Sequence, residues 1–383
     1  MSRLLYALLF SVCLIGSNGL LLSPLLSAIG TDMQAPITQV SRAVAAYGAG
    51  SAISAIWLGR YLDGFGLNRA LFWSMAVAGS AQLLSAFSYD WISLTLLQML
   101  AGAAAGIALP SVYGLTTTVA PKGKEAQTLS RVTFGWSISL VASVPLAAYF
   151  ADQIGWRFTI AAFGVLHLGM LLPLKIFRGP PTPAATKFSL LMPFKLKGGL
   201  AIYIINFLFM GCFYGIYAFS GAHAVAGFGQ STAEAGLIAL IYGIGFGTGS
   251  FFAKYLDRTP PNIALPLGLL AATGGICAIA FSPNYTAYLI AFGFWGFLNH
   301  LILNLILTRI TDLTATHKGA VLSMYSGVTY IASMVSILGF GSLIDTRGFV
   351  QIVLLAAGFQ FCAFIIAVFW KKPQAAMDPS LQS

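Results

Sequence analysis

Long apolar runs, separated by short polar breaks with glycine or proline, extend over almost the whole chain. A helix needs about 20 apolar residues to cross the hydrocarbon core of a bilayer. Runs of this kind occupy residues 4–29, 41–62, 69–89, 91–119, 129–151, 157–177, 198–221, 232–256, 263–281, 284–311, 319–343 and 348–370. They are continuous, whereas the strands of a membrane β-barrel are short and alternate. The pattern predicts an all-α polytopic membrane protein with twelve transmembrane helices, numbered spans 1 to 12.

Composition agrees with a bilayer as the solvent, because 58% of the residues are hydrophobic and 8% are charged. A soluble domain carries about 25% charged residues. The net charge of +10 comes from cations scattered between apolar runs, so no nucleic-acid partner is predicted. Single cysteines, short loops and the lack of catalytic or phosphate-binding motifs predict no metal, no cofactor and no enzyme activity. These isolated cysteines are Cys13, Cys212, Cys277 and Cys362.

The first span has an alternative interpretation. Arg3 precedes an apolar run from Leu4 to Ile29, and a cleaved signal peptide can begin in this way. The run is long enough to cross the bilayer, however, and eleven further runs follow it. We therefore expect the segment to be retained as span 1.

The cations predict the orientation. With a cytoplasmic N-terminus, 17 of the 20 Lys and Arg residues lie on the cytoplasmic side and three, Arg42, Arg157 and Arg347, lie outside. Cytoplasmic loops of membrane proteins carry this excess of positive charge. The distribution predicts a multi-pass protein of the bacterial inner membrane with both termini in the cytoplasm.

The longest connection follows span 6 and contains Gly179-Pro180-Pro181-Thr182-Pro183 together with several cations. Every other connection is short. The sequence therefore predicts an N-terminal six-helix bundle at residues 1–177, a cytoplasmic linker at 178–197 and a C-terminal six-helix bundle at 198–383.

An internal repeat relates these two bundles at offsets of 193 to 195 residues. The matching segments are Tyr47-Gly48-Ala49-Gly50 with Tyr242-Gly243-Ile244-Gly245, Arg60-Tyr61-Leu62-Asp63 with Lys254-Tyr255-Leu256-Asp257, Leu129-Ser130 with Leu322-Ser323, and Asp152 and Gly155 with Asp345 and Gly348. One large class of transporters builds two rocking halves from parallel six-helix repeats. The repeat predicts two pseudo-symmetric halves of this type.

Two segments resemble signatures of the major facilitator superfamily. The segment Gly59-Arg60-Tyr61-Leu62-Asp63-Gly64-Phe65-Gly66-Leu67-Asn68-Arg69 resembles its signature between spans 2 and 3, with Gly59, Asp63 and Gly66 matching and Arg69 as the nearest cation. In span 5, the run from Gly135 through Val144-Pro145 to Gly155-Trp156-Arg157 resembles the antiporter signature of the drug-efflux and arabinose-efflux-permease-like branch, although Val144 replaces its usual glycine. The resemblance covers essentially the whole chain and implies a central cavity between two halves.

The resemblance also implies a cytoplasmic gate. Asp63 would lie against the positive N-terminal end of span 11, and Asp257 against span 5 near Arg131. Closing these contacts favours the outward-open state. Gly59, Gly66 and Arg69 complete the candidate gating set. The alternative is that both acids are solvated residues that only mark the ends of their spans.

In this family spans 1, 4, 7 and 10 line the cavity, together with parts of spans 2, 5, 8 and 11. Polar groups inside spans tend to face such cavities. On span 10, His300 and Asn304 share a helical face with Gly293 and Gly296. The candidate substrate-binding residues are Asn18, Gln98, Trp136, Asn206, Tyr214, Tyr217, Tyr242, His300, Asn304 and Tyr325. For each aromatic residue, packing within the bundle is the alternative.

The groups that usually couple transport to protons, a mid-span carboxylate and an arginine in span 4, are missing from the sequence. All acids fall at span ends or in loops, and Gln98 occupies the approximate position of an antiporter arginine. We expect His300 to be the only mid-span group that titrates near neutral pH, so it is the first candidate for coupling. Asp63 and Arg131 at the gate are the second. The alternative for His300 is a neutral hydrogen-bonding role between helices.

A nearly uncharged, aromatic and amide-rich cavity favours a neutral or amphipathic organic solute. The sequence therefore predicts a monomeric secondary transporter that couples efflux of a small molecule to protons, with the lipid bilayer as its other partner. Two alternatives stay open: uptake or facilitated diffusion of a metabolite without proton coupling, and a non-transporting sensor on the same scaffold.

Overall fold

The computed structural model describes residues 3–58, 65–121, 124–176, 192–256, 260–314 and 318–369. These residues are helical almost throughout, and the helices lie where the twelve spans are predicted. In order, the spans comprise Arg3–Leu20 with Leu22–Asp32, Ile37–Trp57, Leu67–Ser85, Trp91–Val119, four pieces from Glu125–Thr133 to Val144–Ile154, Trp156–Gly169 with Leu171–Ile176, Gly199–Phe228, Thr232–Leu256, Pro261–Ala280, Tyr285–Thr311 and, within Lys318–Phe369, residues 318–347 and 349–369. Within the described ranges, eight helical stretches are long and apolar enough to cross a membrane, and one of them holds most of the last two spans.

Prolines account for the breaks inside two spans. Span 1 bends between its two helices because Pro24 has no N–H to donate to the carbonyl of Leu20. Span 6 is interrupted in the same way, since Pro173 cannot donate to the carbonyl of Gly169. The predicted apolar runs are therefore continuous as spans even where the helix is not.

Span 5 contains a wider π-type turn at Ser139–Ser143, directly before Pro145. The proline removes the hydrogen bond that the carbonyl of Val141 would accept in a regular helix, and the wider turn absorbs the disruption. Leu140 and Val141 lie here against Gly243 of span 8. The irregular turn thus lies where the N-terminal half touches the C-terminal half.

The connections alternate between two ends of the bundle. One end, called the linker face, holds the start of span 1, the short helix Met192–Lys195 before span 7 and the end of span 12. The opposite end is called the far face. It holds the connections at Met33, Tyr89, Gly155, Gly229, Ser282 and Gly348.

Two glycines on the far face reproduce the internal repeat in the backbone. Gly155 has φ 94° and Gly348 has φ 75°. Each turns the chain between two spans in a conformation that a side chain with a Cβ rarely adopts. The two pseudo-symmetric six-helix halves predicted from the repeat are therefore confirmed.

The outer surface is strongly apolar. Large side chains such as Trp73, Phe87, Phe158, Phe251 and Ile290 are more than half exposed. Water-soluble proteins rarely expose apolar surface on this scale. The surface is that of a protein whose solvent is lipid.

The halves meet along span 2 with span 11 and span 5 with span 8, which the repeat relates. They also meet along span 1 with span 7, where the hydroxyl of Ser23 donates to the carbonyl of Tyr217. A Cβ added to Gly48 would lie 3.3 Å from the hydroxyl oxygen of Ser333, and one added to Gly243 would lie 2.8 Å from Leu140. These glycines are equivalent in the repeat, and both permit close approach of the helices. The two crossing contacts leave a cleft between them at mid-span.

Candidate transport site

The cleft between the halves lies near the middle of the spans. It is lined by residues of spans 1, 2, 5, 7 and 11, namely Ile15, Gly19, Leu20, Val44, Tyr47, Gly48, Trp136, Tyr214, Tyr330 and Ser333. Its empty space is about 370 Å³, including the mouth. None of these lining side chains carries a charge. A small neutral solute fits such a site better than an ion does.

Five tyrosines gather around this cleft. The phenol of Tyr330 lies within electrostatic range of those of Tyr47, Tyr113, Tyr214 and Tyr325. A tyrosine hydroxyl both donates and accepts hydrogen bonds. The centre of the protein therefore offers uncharged hydrogen-bonding groups beside aromatic faces.

Two hydrogen bonds hold the aromatic wall of the N-terminal half. The indole N–H of Trp136 donates to the hydroxyl of Tyr113 at 3.1 Å, and the hydroxyl of Tyr47 donates to the carbonyl of Ile15 at 3.2 Å. The indole also lies against Gly16, where a Cβ would come within 2.8 Å of the ring. Both rings are thus fixed before a solute arrives.

The opposite wall is an aromatic cluster centred on Phe213. Its ring centroid lies 4.9 Å from Tyr214, 5.7 Å from Tyr217, 5.3 Å from Tyr242 and 6.0 Å from Trp295. These separations are typical of favourable aromatic pairs. Tyr214 reaches the cleft, whereas Tyr217 and Tyr242 are buried behind it. Of these predicted binding residues, one therefore lines the cleft and two support it.

Two buried asparagines of the C-terminal half retain an acceptor atom. Asn299 donates to the hydroxyl of Tyr242 at 3.0 Å, and Asn206 donates to the hydroxyl of Thr329 at 3.2 Å. The Oδ1 atoms of both asparagines are buried and accept no hydrogen bond from any described residue. Tyr325 lies one turn before Thr329 on span 11. Asn206 and Tyr325 thus belong to the part of the interior nearer the linker face.

Asn18 and Gln98 lie in a different environment from the one predicted. Gln82 of span 3 donates to Oδ1 of Asn18, and the side chains of Gln82 and Gln98 bond each other at 3.2 Å. Gln98 also donates to Ser85 at 3.2 Å. The amides of all three residues are buried within the N-terminal half. They satisfy one another and do not line the cleft.

The predicted cavity face of span 10 packs against span 8. Gly293 lies against Gly245, and a Cβ at Gly249 would come within 2.7 Å of His300. The ring of His300 also meets Phe246 at a centroid distance of 4.7 Å, and Asn304 donates to the backbone carbonyl of His300. Glycines on one helical face indicate close helix packing, which here lies inside one half. His300 and Asn304 are therefore absent from the cleft lining.

The sequence profile of the Major Facilitator Superfamily matches residues 8–223 and again 202–382. The chain belongs to the Major Facilitator Superfamily. It is therefore a multi-pass membrane protein of a transporter family and not an enzyme. The two overlapping matches also agree with the internal repeat.

Several members of the superfamily are similar along much of their length. "Uncharacterized MFS-type transporter YwfA" of Bacillus subtilis is 25% identical over 387 residues, covering 97% of this chain and 93% of the relative. A "Probable sugar efflux transporter" of Pasteurella multocida is 25% identical over 276 residues, covering 70% of this chain and 66% of the relative. The xylose transporter XylE from Escherichia coli in its inward-open conformation superposes with a TM-score of 0.76, at 13% identity and with 98% and 97% of the two chains covered. This structural likeness shows the superfamily fold.

Three of the gating residues that the superfamily signature implies are described, and all lie at the linker face. Gly66 precedes span 3 with φ 87°, and Arg69 and Arg131 are exposed. The other three lie outside the described residues: Gly59, Asp63 and Asp257. The gate at the linker face therefore stays a prediction for this superfamily member.

Several cleft residues escaped the sequence-based prediction. Tyr47, Tyr330, Ser333 and Gly19 line the cleft, although none was a candidate. Tyr47 carried a signal, because it opens the Tyr-Gly-x-Gly segment of the repeat. A second histidine inside a span was also overlooked. His167 is fully buried in span 6, and its Nδ1 lies 2.8 Å from the carbonyl oxygen of Phe163.

Proposed function

We propose that this superfamily member exports a small neutral or amphipathic organic solute across the bacterial inner membrane. The main support is the cleft between the halves. Its lining residues offer aromatic faces, hydroxyls and backbone groups but no charge. An ion would lose its hydration in such a site without finding a counter-charge. A neutral solute can exchange water for the hydroxyls of Tyr47, Tyr214, Tyr330 and Ser333.

Sugars are the solute class that this lining suits best. The C–H faces of a sugar ring pack on aromatic rings such as Trp136, and its hydroxyls pair with tyrosine hydroxyls that act as donor or acceptor. Two relatives called "Probable sugar efflux transporter", including the Pasteurella protein, support this assignment.

Transport proceeds by alternating access of two halves joined by the linker at residues 178–197. The positive charge of the segments at the linker face supports a cytoplasmic location for that face and both termini. Asp63 and Asp257 act as gates there. Each chain holds a complete cleft between its own halves, so the transporter works as a monomer.

Proton coupling is the finer part of the proposal. Efflux against a gradient needs an energy source, and no carboxylate lies near the middle of a span. His300 was the first candidate, but its contacts with Phe246 and Gly249 keep it inside one half. The predicted gate residues Asp63 and Arg131 are the better candidates for the proton-sensitive step.

Transport into everted membrane vesicles tests the proposal. The panel contains neutral mono- and disaccharides, an uncharged amphipathic compound, a sugar acid and a quaternary ammonium ion. We expect uptake of neutral compounds that depends on the proton gradient and falls at least tenfold in vesicles carrying Tyr330→Ala. Uptake that survives an uncoupler would establish facilitated transport instead. Transport of the charged compounds alone would refute the assignment from the cleft.

A further inference from the structure

Two aspartates on the far face bond across the boundary between the halves. Asp152, in the last turn of span 5, accepts a hydrogen bond at 3.1 Å from the N–H of Thr232, the first residue of span 8. Asp345, near the end of span 11, accepts one from the hydroxyl of Thr38 in the first turn of span 2. In each contact the acid belongs to one half and the helix start to the other.

The internal repeat relates these two contacts. Asp152 and Asp345 are separated by 193 residues, and Thr38 and Thr232 by 194, within the offsets that relate the rest of the halves. A single surface contact could be incidental. At both symmetry-related positions an acid accepts a hydrogen bond from the start of a helix of the other half, through the backbone at Thr232 and through the hydroxyl at Thr38. This correspondence indicates a built feature of the fold.

The contact at span 8 is not needed to start that helix. Ser231 and Glu234 already cap it locally, because each side chain accepts a hydrogen bond from the backbone N–H of the other, at 2.8 and 3.1 Å. Asp152 bonds a further N–H, that of Thr232, which lacks a partner within the helix. Its distinct effect is therefore to tie the two halves together.

Both carboxylates are exposed, so each contact is weak. A carboxylate at a solvated helix start shifts an equilibrium by a factor of about two to five. A contact that must break in every transport cycle needs to be weak. The acids also lie at the far ends of the span pairs that cross at Gly48 and Gly243, where loosening would let the far ends separate.

We propose that Asp152 and Asp345 are paired latches that hold the far face closed and set the equilibrium between the two access states. This proposal rests on the rocking halves of the proposed function. The same span pairs carry the gates proposed for Asp63 and Asp257 at the linker face. Each span pair then has an acidic latch at both ends, and the two latches favour opposite access states.

Distance measurement by pulsed electron paramagnetic resonance tests the latches without a substrate. Spin labels are attached at Thr31→Cys and Ser282→Cys, on opposite halves of the far face, in protein that lacks the native cysteines and is held in lipid nanodiscs. Replacing either Asp152 or Asp345 by Ala should raise the long-distance population about threefold, and both together about tenfold. The Asn variants keep an acceptor oxygen and should give a smaller rise.

Asp90→Ala is the matched control. Asp90 also lies on the far face and caps a helix, but it bonds the N–H groups of Ile92 and Ser93 at 2.8 Å within its own half. We expect it to lower thermal stability and to leave the distances unchanged. An unchanged distribution in the double Ala variant, or in the double Asn variant if the former does not fold, would overturn the proposal. So would an equal shift in Asp90→Ala. Loss of solute flux is a separate result that bears on the proposed function alone.

Discussion

The buried amides of the two halves differ in how fully their hydrogen bonds are satisfied. In the N-terminal half, Gln82 bridges Asn18 and Gln98, and none of the three keeps a buried polar atom without a partner among the described residues. In the C-terminal half, Asn206 and Asn299 each use the amide nitrogen and keep a buried oxygen that accepts nothing from the described residues.

We infer from this difference a structural role for the first set of amides and a role in solute binding for the second. An unsatisfied amide is costly away from water, so a closed network such as that of Gln82 fixes spans 1, 3 and 4 relative to one another. An amide with a spare acceptor costs stability unless water or a ligand completes it. Asn299 bonds Tyr242, whose ring lies near Phe213 and hence near Tyr214 at the cleft. On this account the buried amides of the N-terminal half fix its helices relative to one another. Those of the C-terminal half keep an acceptor that water or a solute can use.

Gln82→Leu should have the largest effect on stability, because it leaves Asn18 and Gln98 buried without their partner. Each orphaned amide costs about 1–3 kcal/mol, although hydrogen bonds in membrane interiors average nearer 0.6 kcal/mol. We expect a total loss of about 2–3 kcal/mol, measured by thermal unfolding in detergent. Asn206→Leu is the control and should cost less than about 1 kcal/mol, since it removes one hydrogen bond together with the spare acceptor. Equal losses in both variants would erase the distinction between the halves.

Asn299→Ala should impair transport and should cost about 1 kcal/mol of stability, the typical value of its hydrogen bond to Tyr242. It removes the donor to Tyr242 and the free acceptor. The loss of a hydrogen bond of about 1.4 kcal/mol between the free acceptor and the solute corresponds to a tenfold rise in the KM of solute transport. Flux measured at equal expression gives the answer. A variant with normal KM but a lowered unfolding temperature would assign Asn299 a structural role instead.

His300→Gln should have the smallest effect. The ring packs between Phe246 and Gly249 inside the C-terminal half and does not line the cleft. Glutamine keeps hydrogen-bonding capacity but cannot titrate. We expect less than a twofold change in flux and the same dependence on external pH. Loss of proton-driven transport with facilitated flux retained would restore His300 as the coupling residue.

The spans and the two halves could be predicted from the sequence because both depend on local signals. Apolar runs of sufficient length identify spans, and the repeat places Gly155 and Gly348 at equivalent turns. The bends of span 1 at Pro24 and of span 6 at Pro173 did not obscure the pattern, since both lie inside apolar runs.

The direction in which individual side chains point from a span could not be predicted in the same way. Most spans are apolar on every side, so periodicity does not distinguish the cleft from a neighbouring helix. Adjacent residues on a helix differ by about 100° in direction. On span 10 both the glycine face with His300 and the neighbouring Asn299 contact span 8, Asn299 through its hydrogen bond to Tyr242. Gln98 was similarly ambiguous, because its partner Gln82 lies on another span and no local signal joins them.

Modification of one serine tests most directly whether the cleft is the transport path. Ser333 lines the cleft, whereas Ser336, one turn further along span 11, lies against Gly215 of span 7. Each is replaced by Cys in protein without native cysteines, and flux is measured before and after treatment with a small thiol reagent. We predict that modification of the Ser333→Cys protein stops flux, that transported solute slows its modification, and that Ser336→Cys shows neither effect. Continued flux with the thiol at position 333 fully modified would contradict transport through the cleft.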